Sequence, residues 1–577
     1  MLWNIRSFEE KSKEFAENLG VDELIAHLLL MRDIDSKEKA DVFFQPEYEK
    51  HLHDPFLFKE LPRIVERLRK AKENKETIGV FGDYDADGVT GSVVMREALE
   101  GLGFEVVVHI PDKHNEGHGL SEKGIETFQN AGIQLFFTVD CGITNLREIA
   151  LAKEKGLECI VIDHHHVPEI MPDALAIINP KVPDCGYPFA DLCGAGTAFK
   201  VAQGLYQEMA PEKADQLKWL LDVVALGTVA DCMPIVDENR VFVRYGCVVL
   251  AKTRRMGLQE MYKVGRIPID DSRYPDATTI GFQIAPRINA AGRMAHARLA
   301  HDLLVERNRD QAGILAGELE VHNNNRRKLS TQMTQEVELR VKKECEGKNA
   351  IIMADETYPL GIVGLIAGRI AEAFSKPTII LTKGESSSQG SLRSAQGVHL
   401  VHVLEQCEHL LEKFGGHAQA AGLTVSHENF EAFCDLFEST VTKEMAGSRK
   451  EKTHDIDAEL LHEHITMDVM KDIKRFEPFG LGNPEPVFLV RDACILDVRL
   501  LGKSNKHLKL KLRLGEEKNS TLIDAIGFGL GERFFDITPG EYIHIIGKFQ
   551  ENVWNGRVSL QIVMDDLRKK EENDDVV

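Results

Sequence analysis

The sequence predicts a multidomain α/β protein: a parallel-sheet domain, a second α/β domain joined to it by a long helix, and a C-terminal β-barrel of the OB type. Three observations lead to that class. Between residues 77 and 162 short apolar runs alternate with amphipathic stretches, the pattern of a parallel sheet covered by helices on both faces. The alternation restarts at residue 349, after a charged segment with helical spacing. Short alternating strands then crowd residues 487–564, as in a small barrel.

At 577 residues the chain exceeds any single core, and at roughly 150 residues per domain it should hold several units. A hydrophobic content of 43% and a charged content of 28% describe a soluble globular protein. The 70 basic and 92 acidic residues give a net charge of −22, which excludes a wholly basic nucleic-acid coat. A polyanionic ligand must therefore be held by local basic patches and metal ions. Ten cysteines without CxxC pairing point to a reducing compartment rather than a zinc ribbon or disulfide framework. The first residues lack a signal-peptide pattern and no run of ~18 apolar residues is found, so a cytoplasmic protein without membrane attachment is expected.

Residues 1–75 read as a helical lead-in, with apolar residues at helical spacing over 15–31, breaks at Pro46 and Pro55, and a basic amphipathic helix over 61–72. Candidate strands follow at 77–81, 105–110, 135–139 and 158–162, with helices at 89–102, 122–131 and 145–155 between them. In such sheets ligands bind beyond the carboxyl ends of the strands. Those ends carry the polar chemistry of the chain. The first strand runs into Asp83-Tyr-Asp85-Ala-Asp87, the third into Asp140-Cys-Gly142, the fourth into Asp163-His164-His165-His166, and the apolar segment 219–231 ends in Asp231.

A lone aspartate at an element's end is ordinarily a cap or turn residue. Carboxylates at four such ends form a different pattern, because clustered like charges repel unless a cation sits among them. Two divalent ions need roughly five to eight oxygen or nitrogen ligands, with one carboxylate between them. Mixed carboxylate and imidazole ligation favours manganese or magnesium.

Residues 309–348 read as a charged connecting helix, solvated on its surface, whose Asn323-Asn-Asn-Arg-Arg327 cluster is a candidate for facing a groove. From 349 to 450 come strands at 350–354 and 378–382, a glycine-rich helix over 361–369, the turn Gly390-Ser391-Leu-Arg393-Ser394 and the loop Gly415-Gly416-His417. Backbone N–H groups of glycine turns are good anion ligands. In His507-Leu-Lys-Leu-Lys-Leu-Arg513 the leucines face one way and Lys509, Lys511 and Arg513 the other. That face suits a single-strand backbone or, equally, a solvated edge strand protected by charge.

Asp85-Ala-Asp87-Gly88, Val139-Asp140-Cys-Gly142, Asp163-His164-His165 and Gly227-Thr-Val-Ala-Asp231 resemble, in order, the four motifs of the DHH phosphoesterase superfamily. Ala285-Pro-Arg-Ile-Asn-Ala-Ala-Gly-Arg293 and Gly415-Gly-His-Ala-Gln-Ala-Ala-Gly422 resemble its bacterial branch of single-stranded-DNA exonucleases. The resemblance implies a DHH catalytic domain at 76–308, a connecting helix at 309–348, a DHH-associated substrate-binding domain at 349–450, an OB nucleic-acid-binding domain at 451–570 and an acidic tail at 571–577. It also implies that Asp85 and Asp140 hold one metal ion, and that Asp87, Asp140, His164 and Asp231 hold a second, with Asp140 as bridge. His165 would touch the scissile phosphate, Asp163 would orient a histidine ring, and Asp83 would be a supporting residue.

Lys113, Arg287, Asn289, Arg293, Ser391, Arg393, Gly416, His417, Lys509 and Lys511 are the implied nucleic-acid contacts, with Ser391 and Arg393 at a terminal 5′-phosphate. The implied activity is 5′-to-3′ release of mononucleotides from single-stranded DNA with Mn2+ or Mg2+, in recombination and repair. The implied setting is a cytoplasmic monomer working beside a single-strand-binding protein and a recombination helicase. Two alternatives are a phosphodiesterase for oligoribonucleotides or cyclic dinucleotides and a non-catalytic nucleic-acid scaffold. The chain departs from the family pattern twice: Phe81 stands where many DHH enzymes carry a histidine ligand, and Lys113 where an arginine is common, which loses the bidentate fork.

Overall fold

The structure, a computed structural model, describes residues 2–6, 11–113, 115–270, 274–446, 453–502, 505–516, 518, 520–554 and 557–570. It consists of two compact units: His53–Met233 with Tyr245–Lys450, and Met1–Leu52 with Pro234–Arg244 and Glu451–Val577. The acidic tail expected at 571–577 lies outside the described residues. Among the described residues no helix is long and apolar enough to cross a membrane.

The first of these units holds an all-parallel sheet of five strands, in the order Val106–His109, Ile78–Gly82, Leu135–Val139, Glu158–Ile162, Ala176–Ile178. Every residue of Ile78–Gly82 and Leu135–Val139 is buried, as continuous apolar strands must be when helices cover both faces. The four expected strands are present, and Ala176–Ile178 is an addition, too short to register as an apolar run. Phe81, Phe128 and Phe136 pack within one core cluster beside the sheet. The charged connector is a single helix, Arg309–Glu344. Beyond it lies a second sheet, in the order Lys413–Gly416, Ala420–Ser426, Ser387–Arg393, Thr378–Lys383, Ile351–Asp355, of which only the last pair is parallel.

In the other unit, Phe488–Leu501, His507–Leu514, Thr521–Gly527, Arg557–Lys569 and Tyr542–Trp554 pair in that order, and the last pairs back to the first, closing a five-stranded barrel. The first of these strands is bent at a bulge between Val490 and Ala493, where Asp492 adopts φ 52°. Leu508, Leu510, Leu512 and Leu514 are buried in the barrel, and Lys511 is exposed.

The lead-in differs from the expectation of a helical segment. Helices Ser12–Leu19, Glu23–Leu30 and Lys37–Phe44 form, and Leu24, Ile25 and Phe44 join the barrel's apolar core with Phe476 and Leu508. Leu2–Ile5, however, is a strand parallel to Thr453–Ile456. Trp3 drives this, being buried against Ile456 and Ile546 with its indole N–H donating to Asp566 at 3.3 Å. Arg240 fastens Pro234–Arg244 into the same unit, its guanidinium donating to the carbonyls of Phe43, Arg475, Phe476 and Glu477.

Candidate metal centre

Each acidic side chain at the sheet edge is placed by its own element. Asp85 caps helix Ala86–Gly101, its Oδ1 accepting from the backbone of Asp87 and Gly88. Asp87, two residues on, accepts from Gly194 and Ala195 at 2.6 and 2.9 Å, the first amides of helix Gly194–Met209. Asp140 follows strand Leu135–Val139 in a left-handed turn with φ 63°. Asp231 ends helix Leu221–Ala230. Two glycines make the close approach possible: a Cβ at Gly227 would stand 2.6 Å from Asp87 Oδ1, and one at Gly194 2.6 Å from the Asp140 Cβ.

His164 Nε2 lies 3.0 Å from Asp140 Oδ1, 3.5 Å from Asp231 Oδ2 and 3.8 Å from Asp87 Oδ2. Neither ring nitrogen of His164 makes a hydrogen bond, and neither do Asp83 Oδ1, Asp140 Oδ1 or Asp231 Oδ2, although all are buried. Buried polar atoms without partners are rare, and in a cluster of this composition they fit a cation. Ligand atoms lie within 4.8 Å of one another in three groups: Asp83, Asp85 and Asp140; Asp87, His164 and Asp231; Asp140, His164 and His165. Asp140 joins the first group to the third. The donor set fits divalent ions of the manganese or magnesium kind, with the neutral imidazole favouring manganese.

The electrostatics carry the same signature. Burial, then the charge of Asp85, pushes Asp87 up to about 6. Burial, then Asp87 and Asp85, pushes Asp231 up to about 9, and Asp140 is raised well above the usual carboxylate range by burial and then the same neighbours. Burial and then His165 push His164 down to about 3, leaving a neutral ring ready to ligate. Asp163 behaves differently. Burial works to raise it, but hydrogen bonds from His165 and from backbone amides outweigh that and hold it at about 2.

The family is decided by comparison with known proteins. The chain is 36% identical over 578 residues to the single-stranded-DNA-specific exonuclease RecJ of Bacillus subtilis, covering 99% of this chain and 71% of that protein. The chain belongs to the RecJ family. The RecJ of Haemophilus influenzae is 31% identical, covering 89% of this chain and 91% of that one. The DHH family N-terminal domain matches residues 77–228, the DHHA1 domain 347–443 and the RecJ OB domain 456–566. The crystal structure of RecJ in complex with Mn2+ from Thermus thermophilus superposes with a TM-score of 0.83 at 28% identity, covering 99% of this chain and 80% of that one.

Within this RecJ-family chain the expected basic residues fall into distinct places. Lys113 is held down by burial and then by Arg293, and it senses Asp83, Asp85 and Arg393, with its Nζ 5.2 Å from the Tyr84 ring centre. Arg293 senses Asp85 and donates to the Gly361 carbonyl. Ser391 and Arg393 share strand Ser387–Arg393, and a Cβ at Gly364 would stand 3.1 Å from the Arg393 guanidinium and 3.3 Å from Ser391 Oγ. Gly416 ends a strand with φ 145°, and the exposed His417 after it senses His165 and His166. Asn289 accepts the Ala86 N–H at 2.9 Å, so it steadies the helix bearing Asp87.

Arg287 is a correction. It is buried, ion-paired to Glu320 at 2.6 Å, and donates to the carbonyls of Gln283 and Gly265, so its fork is committed to the protein. Lys509 is paired with Asp524 at 3.0 Å, whereas Lys511 has no carboxylate partner among the described residues.

Asp83, read as a supporting residue, stands close enough to Asp85 and Asp140 to ligate with them. It supplies a donor where Phe81 cannot, since the Phe81 ring is fully buried and stacked on His109. The sequence reading missed His118, whose Nδ1 lies 3.0 Å from Asp83 Oδ2 and which the Asp83 charge raises to about 9. Its only signal is position, between Gly117 and Gly119, both with positive φ.

Proposed function

We propose that this chain is a metal-dependent exonuclease specific for single-stranded DNA, releasing 5′-mononucleotides from the 5′ end. The observation that carries the reading is the unpartnered set of Asp83, Asp140, His164 and Asp231 atoms beside a group of basic side chains formed by Lys113, Arg293 and Arg393. Asp83, Asp85 and Asp140 would hold one ion, and Asp87, Asp140, His164 and Asp231 the other, with Asp140 shared. Such ions supply Lewis-acid polarisation of a phosphoryl oxygen and a water of lowered pKa.

The chain's own groups do the positioning. Asp163 fixes the His165 ring through Nδ1, leaving the other nitrogen to meet a phosphate oxygen. Lys113, Arg293, Ser391 and Arg393 take the terminal 5′-phosphate, which sets the length of the piece removed. Gly416 and His417 steady the backbone near the scissile bond, and Lys511 of the barrel contacts the strand. Single-strand preference follows the named relatives. Polarity, a cytoplasmic location, action as a monomer in recombination and repair, and work beside a single-strand-binding protein and a helicase follow from resemblance to the family. The test compares rates, with Mn2+ present, on a long 5′-phosphorylated single strand, its duplex, and di- and trinucleotides. Fast mononucleotide release from the long single strand alone supports the reading; faster turnover of the dinucleotide overturns it.

A further inference from the structure

Helix Arg309–Glu344 carries a feature that solvent exposure does not explain. Arg326 is half-buried; its Nη2 donates to Asn323 Oδ1 at 2.9 Å, while its Nε is shielded from water and has no acceptor. The helix packs on Ala285–Met294, which carries Arg287 and Arg293, and on Val363–Phe374, which carries Arg369; burial, then Arg293, Arg327, Arg369 and Arg287, bring Arg326 down to about 10. Of these, Arg287 is neutralised by Glu320. Among the described residues Arg293, Arg326, Arg327 and Arg369 are within ion-pair distance of no carboxylate. In a chain with 92 acidic and 70 basic residues, guanidiniums gathered with no ion-paired carboxylate form a standing anion site.

Its place is defined by shared residues. Arg293 senses Asp85 of the metal group, and Arg393 senses Arg293. Arg369 follows Gly368, whose Cβ position is 3.9 Å from the Arg393 side chain. We propose that Arg326 and Arg369, sharing Arg293, form a phosphate subsite distinct from the metal group and from Lys113, Ser391 and Arg393, and that it takes a second phosphate of the bound nucleic acid. The inference rests on the nuclease reading. That phosphate is either an internucleotide group of the strand or the outer phosphate of a 5′-polyphosphorylated end, and both present the same doubly acceptor oxyanion to a guanidinium fork.

The test measures KM and kcat for full-length wild type, Arg326→Gln and Arg369→Gln, with Mn2+ and over a salt series, on one single strand carrying a 5′-hydroxyl, 5′-phosphate or 5′-triphosphate. We expect KM to rise about tenfold with kcat nearly unchanged, and the salt slope to shrink by about 0.7 per lost contact. A rise on all three ends assigns the site to an internucleotide phosphate; a rise confined to the triphosphate assigns it to the terminal group. Unchanged KM and slope in both variants on every end overturns the inference. Arg326→Gln should leave the melting temperature of the free protein unchanged or higher, because it removes a like-charge contact. Arg369, exposed on its helix, gives a variant whose folding is not at issue. If wild type itself releases no mononucleotide, the nuclease reading fails and not merely the subsite.

Discussion

Asp163 Oδ1 accepts the Nδ1 hydrogen of His165 at 2.7 Å and the backbone N–H groups of His164 and His165 at 2.7 and 3.1 Å. Its Oδ2 takes the N–H of Ile143 at 2.9 Å. One buried carboxylate thus orients the ring proposed to meet the phosphate and the backbone of the proposed metal ligand. Asp163→Asn keeps the shape but offers one acceptor where two are used. Activity should fall about 10- to 100-fold, with a weaker apparent affinity for Mn2+, while DNA binding changes little. A Mn2+ titration of the cleavage rate checks this; an unchanged midpoint and rate would show that the hydrogen bonds serve folding alone.

The metal group also predicts a pH dependence of stability. Asp87 at about 6 and Asp231 at about 9 lie above the unfolded carboxylate value of about 3.9. Between those limits the metal-free folded protein binds more protons than the unfolded chain, so its stability falls as pH rises through that window. A divalent ion replaces those protons, and its stabilisation therefore grows with pH. The melting-temperature increase given by saturating Mg2+ should be larger at about pH 8.5 than at about pH 6. Equal increments at both values would contradict the assignment of these carboxylates to the ion.

On the barrel, Lys511 should matter more than Lys509. Lys509 is already neutralised by Asp524 across the strand pair, and Lys511 stands exposed among the outward residues of the same strand. Lys511→Ala should weaken binding of a long single strand and reduce the salt slope by about 0.7, with a smaller change for Lys509→Ala. Fluorescence anisotropy over a salt series separates the two. Unchanged binding in both variants would favour the reading of this face as a charge-protected strand, and equal losses would contradict the ranking.

The parts of the fold legible in the sequence were those written locally. Strands at 77–81, 135–139 and 158–162 were readable because buried parallel strands are unbroken apolar runs, and because each ends abruptly in aspartate. Partners distant in the chain left little trace. Leu2–Ile5 pairs with Thr453–Ile456, and nothing in either stretch names the other. Arg287 and Arg293 share a motif, yet only the fold shows that Glu320 occupies one and leaves the other beside Asp85. His118 carries no periodicity at all, and Asp83 read as a supporting residue because its nearness to Asp140 is set by two strands that pair in the sheet. Phe81 was legible as a missing ligand, and Asp83 as part of the carboxylate cluster; that Asp83 and Asp140 come within ligand distance needed the fold.

On the proposed function, a metal group bridged by Asp140 drives removal of nucleotides from the 5′ end of a single strand. The most direct measurement follows a 5′-labelled single strand with Mn2+, using wild type and Asp140→Ala side by side. Wild type should release the label as mononucleotide from the first time point, and Asp140→Ala should release none while still binding the strand. Label retained in a ladder of shortened fragments, or undiminished release by Asp140→Ala, would contradict it.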